Sequence, residues 1–135
     1  MSKTYPASLE NLHEMLNFVR KAAKKIGFSD ADFVKIELAV EEALVNIIKH
    51  GYPEKPGTIS ISCDSTKEDC LQIEIRDQGI PYNPLAHVKL SDHDFARKNQ
   101  RVGGYGVFFI LKIMDEIKYE RENDSNILIL TKYKI

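Results

Sequence analysis

The chain has 135 residues, of which 43% are hydrophobic and 29% are charged, and its formal net charge is −1. A domain of this length can bury a core without disulfides, and the composition is typical of a soluble globular protein. The small net charge gives no electrostatic reason to expect nucleic acid or an anionic membrane as a partner. No apolar run approaches the roughly 20 residues that cross a bilayer, and the first residues lack the apolar centre of a signal peptide, so we expect a cytoplasmic protein.

The first residues predict an edge strand followed by an amphipathic helix. Residues 1–7 contain Pro6, which is typical of an edge strand or an arm, and Ser8 can cap a helix. The apolar residues of this helix recur every three or four positions and stop at Gly27: Leu9, Leu12, Leu16, Val19, Ala23 and Ile26. The opposite face is basic, which is typical of a solvated surface, although such a face can also dock an acidic partner.

A second helix, capped by Ser29 or Asp30, carries a polar stripe beside its apolar stripe. Three polar residues follow at four-residue steps, which places them on one face: Glu42, Asn46 and His50. A carboxylate and an amide on a helix that is apolar nearly all round cost free energy unless a pocket satisfies them. A solvated Glu–Asn pair is commoner in an arbitrary sequence, and His50 is more typical of a helix end than of a metal site. The apolar surroundings favour a functional pocket at Glu42 and Asn46.

Two strands with alternating apolar and polar residues follow Gly57 and predict a hairpin. The second strand has apolar residues at alternate positions: Leu71, Ile73 and Ile75. Asp77 is in phase with them, so its carboxylate is expected on the buried side, where it needs a partner or a ligand. Cys63 and Cys70 flank the turn, which leaves a disulfide open, but two reduced strand residues are the favoured interpretation in a cytosol.

A long polar segment, about residues 83–102, is typical of a lid or a mobile loop. It leads into Gly103-Gly104-Tyr105-Gly106 and then into an apolar helix, Val107 to Met114. Glycines at a helix start leave backbone N–H groups open, and the helix dipole there favours an anion such as phosphate. The motif is neither a P-loop nor a Rossmann fingerprint.

Two further strands close the chain, about Glu116 to Glu122 and Ile127 to Tyr133, joined at residues 123–125. The last strand has four consecutive apolar residues, which predicts an interior position. Because strands do not alternate with helices, the predicted fold class is α+β: a two-layer α/β sandwich with three main helices on one face of a mostly antiparallel mixed sheet. We expect a single domain over residues 1–135.

Four features, each weak alone, together indicate a nucleotide site: the polar stripe, the inward Asp77, the turn at Gly79 and the glycine-rich helix start. Phosphates need a counter-cation, and an Asn amide oxygen with phosphate oxygens and water suits Mg²⁺. An inward carboxylate suits the exocyclic amine of a purine, because it accepts that amine's hydrogen bond.

These residues resemble the motifs of the gyrase/Hsp90/histidine-kinase/MutL (GHKL) ATPase superfamily, whose fold is the Bergerat fold. Residues 42–52 resemble its N-box, residues 77–82 its first glycine box and residues 103–106 its second. Within the superfamily, the short chain and residues 106–116 are most similar to bacterial anti-sigma-factor serine/threonine kinases of the partner-switching type. The match spans residues 5–135.

The resemblance implies a role for each matched residue. Glu42 would be the general base for the attacking hydroxyl, Asn46 would hold Mg²⁺, and Asp77 would bind adenine. The glycines would shape the lid hinges and cradle the phosphates. On physical grounds, phosphoryl transfer also needs charge neutralisation, which a lid cation such as Arg97, Lys98 or Arg101 would supply. Ten residues are expected to bind the cofactor ATP: Asn46, Asp77, Gly79, Pro81, Arg101, Gly103, Gly104, Tyr105, Gly106 and Val107.

Two positions depart from the family pattern or match it more weakly. The family often has a Gly-Thr pair in its last strand, and Ser125-Asn126 stands near that place in this chain, so a second adenine contact is not assigned there and Thr131 is a candidate. Arg20 resembles an arginine of the family's first helix that engages protein partners.

The function implied by the resemblance is that of an anti-sigma factor and ATP-dependent protein serine/threonine kinase. Such a protein sequesters a sigma factor and phosphorylates an anti-sigma-factor antagonist. A homodimer is expected, through the exposed edge of the sheet or the first helix. Two alternatives stay open: a nucleotide-gated protein-binding module without phosphotransfer, and a switch kinase that acts on a signalling scaffold or a phosphatase regulator.

Overall fold

The computed structural model describes residues 1–65, 69–87 and 110–134. Its main elements are β1 (Ser2–Pro6), α1 (Leu12–Ile26), α2 (Asp30–His50), β2 (Thr58–Asp64), β3 (Cys70–Asp77), β4 (Glu116–Glu122) and β5 (Ser125–Tyr133). Two short 3₁₀ helices, Leu9–Asn11 and Pro84–His87, lie between them, and residues 110–113 are helical. The described residues therefore include both long helices and a segment of the predicted third one.

The five strands form one sheet in the order β1-β2-β3-β5-β4. β5 lies between β3 and β4, as its run of apolar residues predicts, and β1 lies at an edge. The predicted α+β sandwich with a mostly antiparallel sheet is confirmed. Every pairing among the described strands is antiparallel, so this part of the chain shows no parallel pair that would make the sheet mixed.

The hydrophobic core lies between the helices and one face of the sheet. Both helices and alternate residues of the inner strands supply fully buried side chains: Met15, Val19, Phe33, Ile36, Leu44, Ile59, Ile61, Ile73, Ile75 and Leu130. Apolar surface removed from water stabilises the fold by about 25 cal/mol per Å². Because α2 packs on this face, its buried side faces the inward residues of β3 and β5.

Capping side chains and a glycine determine where the helices begin and end. The Oγ of Ser29 accepts a hydrogen bond from the Asp32 N–H at 3.1 Å and caps α2, and Gly27 ends α1 with a left-handed φ of 107°. The Oγ of Ser8 accepts from the Glu10 N–H and so starts a 3₁₀ turn, which is why α1 begins only at Leu12.

None of the helices in the described ranges is long and apolar enough to cross a membrane.

The two cysteines are both free and buried. Cys63 pairs with Ile73 on the helix-facing side of the sheet, whereas Cys70, three residues before Ile73, lies on the opposite side. The prediction of two reduced strand residues is confirmed, and the disulfide is excluded because the side chains point to opposite faces.

Candidate functional site

A pocket opens between the second half of α2, the end of β3 and the β4–β5 hairpin. Ten residues line it: Ala43, Asn46, Ile47, Asp77, Tyr82, Pro84, Ile110, Tyr119, Asn126 and Leu128. Two predicted site residues, Asn46 and Asp77, thus lie on its walls. Glu42, half-buried, lies one helical turn before Asn46 and is not among the lining residues.

Asp77 is the central polar residue of this pocket. Its side chain points inward, as the strand period predicts, and the residue is only 2% exposed. Its Oδ1 accepts two hydrogen bonds, from the Gly79 N–H at 2.9 Å and from the Nδ2 of Asn126 at 2.9 Å. In the described part of the chain Oδ2 takes part in no hydrogen bond. A ligand can therefore donate to Oδ2 while Oδ1 is held in place.

Asn46 presents an unsatisfied amide to the same pocket. Its Nδ2 is buried and, among the described residues, has no hydrogen-bond partner. A buried polar group without a partner costs about 1–3 kcal/mol. This free amide fits a polar ligand in the pocket.

The end of α2 and the end of β3 meet through two glycines. The Ile80 N–H donates to the Gly51 carbonyl oxygen at 2.9 Å, and a Cβ on Gly79 would lie 2.3 Å from that oxygen. Only glycine allows this close approach of two backbones. Pro81 follows directly and is exposed.

Tyr52 reinforces this junction, a role that the sequence did not show. Its OH donates to the Thr58 carbonyl oxygen at 2.7 Å and accepts from the Gln78 N–H at 2.7 Å. Burial raises the pKa of the Tyr52 phenol above its ordinary value. The hydroxyl thus stays protonated and links the α2 end to both strands of the hairpin.

Asn126 is the second site residue that sequence reasoning missed. It is 6% exposed and pairs directly with Asp77 across β3 and β5. The signal was available, because Asn126 is in phase with the inward Leu128 and Leu130. The candidate Thr131 is wrong: it pairs with Gln72 on the opposite face of the sheet, and so it points away from the pocket.

His50 lies at the exposed end of α2, as predicted. Its ring stacks on Tyr82 with centroids 5.9 Å apart and an interplanar angle of 29°. Burial raises the pKa of the Tyr82 phenol. His50 therefore packs against a pocket wall.

Arg20 lies outside the pocket, at the junction of α1 and α2. Its Nη2 is 3.2 Å from the Oε2 of Glu37, and its guanidinium lies 5.2 Å from the centre of the Phe33 ring. The side chain thus already has partners within the fold.

The chain matches a known protein family over most of its length. The histidine kinase-like ATPase domain family matches residues 5–132. This chain belongs to that family. An ATPase domain of this family implies ATP as the bound nucleotide.

Relatives within the histidine kinase-like ATPase family carry a more specific name. The chain is 31% identical over 133 residues to the serine-protein kinase RsbW of Halalkalibacterium halodurans, covering 96% of this chain and 80% of the relative. It is 28% identical over 131 residues to the serine-protein kinase RsbW of Bacillus mycoides, covering 95% and 81%.

Solved structures share the fold of this family member. The RsbU and RsbW domains of a Mycobacterium tuberculosis protein superpose with a TM-score of 0.61 at 14% identity, covering 98% of this chain and 32% of that longer chain. The nucleotide-free catalytic domain of the histidine kinase ThkA superposes with a TM-score of 0.60 at 17% identity, covering 99% and 96%. These similarities show the fold alone.

Several predicted site residues of this ATPase domain lie outside the described residues. They are Arg101, Gly103, Gly104, Tyr105, Gly106 and Val107, together with Arg97 and Lys98. Of the lid predicted at about 83–102, the structure describes residues 83–87, which include the 3₁₀ helix Pro84–His87.

Proposed function

We propose that this chain is an anti-sigma factor and an ATP-dependent protein serine/threonine kinase, which sequesters a sigma factor and phosphorylates an anti-sigma-factor antagonist. The observation that carries the proposal is the pocket with Asp77 and Asn46 on its walls, in a chain related over nearly its whole length to serine-protein kinases.

Asp77 and Asn46 would hold the nucleotide and its metal. Asp77 would accept a hydrogen bond from the adenine amine on Oδ2, because Oδ1 is already occupied by two donors. Asn46 would hold Mg²⁺ through its amide oxygen, and its buried Nδ2 could then donate to a phosphate oxygen. Bound ATP with Mg²⁺ would supply the phosphoryl group and neutralise its charge.

Glu42 would act as the general base. It is half-buried and lies one turn before Asn46 on the same side of α2. A carboxylate at this position would accept the proton of a serine or threonine hydroxyl from the substrate protein. The glycine-rich motif at residues 103–106 would bind the phosphates, and the segment at about 83–102 would close over them.

The proposed partners are those that the family resemblance implies. A sigma factor and an antagonist protein are the expected partners, and Arg20 would contact one of them by exchanging Glu37 for a carboxylate of the partner. A homodimer stays a prediction, with β1 at the sheet edge or α1 as the element that would form it.

The test is the transfer of labelled γ-phosphate from ATP to the cognate antagonist. Glu42→Ala is expected to slow transfer by about 10²-fold or more while ATP affinity changes little, because a general base contributes about 10²–10⁴-fold. Glu41→Ala removes a neighbouring half-buried carboxylate of the same helix and should behave like the parent.

Equal transfer by the parent and by Glu42→Ala would contradict the role of Glu42. If the parent binds ATP without transferring phosphate, a nucleotide-gated binding module is the better description. A pull-down from the native cytoplasm separates the second alternative, because recovery of an RNA polymerase sigma subunit would exclude a switch kinase that acts only on a scaffold or phosphatase regulator.

A further inference from the structure

We propose that Asn126 is a positioning residue that fixes the Asp77 carboxylate and so limits recognition of the base to one oxygen, Oδ2. The inference rests on the proposed binding of an adenine nucleotide in this pocket. It adds a determinant of base specificity on β5, at Asn126, which pairs directly with Asp77 across β3 and β5.

Asn126 uses its full hydrogen-bonding capacity within the protein. Its Nδ2 donates to the Oδ1 of Asp77 at 2.9 Å and to the Ile80 carbonyl oxygen at 2.9 Å. Its Oδ1 accepts from the Tyr82 N–H at 3.4 Å and from the OH of Tyr119. A side-chain amide offers two donors and one oxygen with two lone pairs, so no group of Asn126 remains for a ligand. Asn126 must therefore act through Asp77.

The orientation of Asn126 is determined by its acceptor side. Tyr119 on β4 and the backbone of Tyr82 both present donors, so the amide oxygen faces them and the NH₂ group faces Asp77. The reverse orientation would set the NH₂ group against the Tyr82 N–H, and the amide oxygen against the Asp77 carboxylate and the Ile80 carbonyl oxygen. Tyr119 and Asn126 thus form a chain of hydrogen bonds that ends on Oδ1 of Asp77.

This arrangement favours a ligand group that donates a hydrogen bond over one that accepts it. Two N–H donors, from Gly79 and Asn126, occupy Oδ1, and Oδ2 stays a pure acceptor at the pocket. The 6-amino group of adenine can donate to it, whereas the 6-carbonyl oxygen of guanine would meet a second acceptor. Asn126 keeps the carboxylate from rotating, so that Oδ2 stays in one position for this hydrogen bond.

The experiment compares ATP with purine riboside 5′-triphosphate, which lacks the 6-amino group, by calorimetric titration. The parent is expected to bind ATP about tenfold more tightly than the analogue, as one charge-assisted hydrogen bond predicts. Asn126→Asp keeps the size of the side chain but sets a carboxylate oxygen against Asp77. This variant should lose about tenfold in ATP affinity and bind both nucleotides within about twofold of each other.

Two further variants make the result decisive. Asn123→Asp makes the same charge change at an exposed position of the β4–β5 turn and should keep the parent preference for ATP. Tyr119→Phe removes one donor to the Asn126 oxygen and should reduce the preference about threefold, which tests the inference even if Asn126→Asp does not fold.

The outcomes separate the inference from the proposed function. If Asn126 had only a structural role, its substitution would lower the affinity for both nucleotides by the same factor. An unchanged preference for ATP in the folded variants would overturn the inference but would leave nucleotide binding by the parent intact. If the parent binds neither nucleotide, the proposed function itself fails.

Discussion

Burial has different consequences for two side chains on the same face of the sheet. Asp77 is buried at the end of β3, where two hydrogen bonds to Oδ1 compensate for the loss of water. Cys63, on β2, is 5% exposed. Burial raises the pKa of the Cys63 thiol from 9.0 to about 12, against a weaker opposing effect of the N-terminal amine.

The Cys63 thiol predicts a loss of stability in alkali. Because its pKa is raised in the folded state, its contribution is complete below pH 9.0 and falls as pH rises from there towards about 12. The free energy of unfolding should fall by up to about 1.4 kcal/mol per pH unit in that range through this group. Urea unfolding of the parent and of Cys63→Ala between pH 8 and pH 10 measures the difference in slope.

A control separates the thiol from the packing at this position. Ile61→Ala removes buried volume from the same face of β2 without removing a titratable group, so it should lower stability at every pH and keep the slope of the parent. An equal slope for the parent and Cys63→Ala would contradict the prediction.

For a single residue, the sequence predicts the side of the sheet on which the side chain lies, but it does not predict the hydrogen-bond partner of that side chain. The period of two placed Asp77 inward, and the four-residue spacing identified Asn46. The bond from Asn126 to Asp77 was not predictable, because it depends on β5 pairing with β3 rather than only with its hairpin neighbour β4.

The ends of α2 and β3 are held together by backbone contact. Gly51 and Gly79 touch there, and Tyr52 bridges the same region to β2. The junction matters for the proposed function because α2 carries Asn46 and β3 carries Asp77. Their relative placement therefore depends on two residues that carry no side chain.

Gly79→Ala is expected to separate these two elements. A Cβ 2.3 Å from the Gly51 carbonyl oxygen cannot be accommodated without moving backbone, so stability should fall by about 1–3 kcal/mol. Ile80→Ala changes the next residue, which is 51% exposed, and should stay within about 0.5 kcal/mol of the parent. Urea unfolding measures both, and a Gly79→Ala variant as stable as the parent would contradict the close contact.

The predicted bounds of the strands agree with the structure where the apolar periodicity is strong. The predicted bounds of β4 agree with the structure, and the predicted start of β5 was two residues late. β5 begins at Ser125 because Asn123 and Asp124 both adopt left-handed φ angles, 50° and 62°, in a two-residue turn that pairs Glu122 with Ser125. Sequence composition marked this turn without showing how tight it is.

At the scale of the whole molecule, the pocket lies between the second half of α2, the end of β3 and the β4–β5 hairpin. Strand order brings β5 between β3 and β4, and α2 packs above them, so residues far apart in sequence line one cavity. Fold class was predictable because strands and helices do not alternate along the chain. Strand order was not, because several antiparallel arrangements satisfy the same apolar pattern.

Nucleotide binding by Asp77 is the central claim, and the melting temperature measured with and without ATP and Mg²⁺ tests it most directly. At about 100 times Kd, ligand should stabilise the parent by about 2.7 kcal/mol, a rise of roughly 5–10 °C. Asp77→Asn should show no rise, whereas Asp124→Asn, at the fully exposed β4–β5 turn, should respond like the parent. A parent that melts at the same temperature with and without ATP and Mg²⁺, or an Asp77→Asn variant that gains the full rise, would contradict the claim.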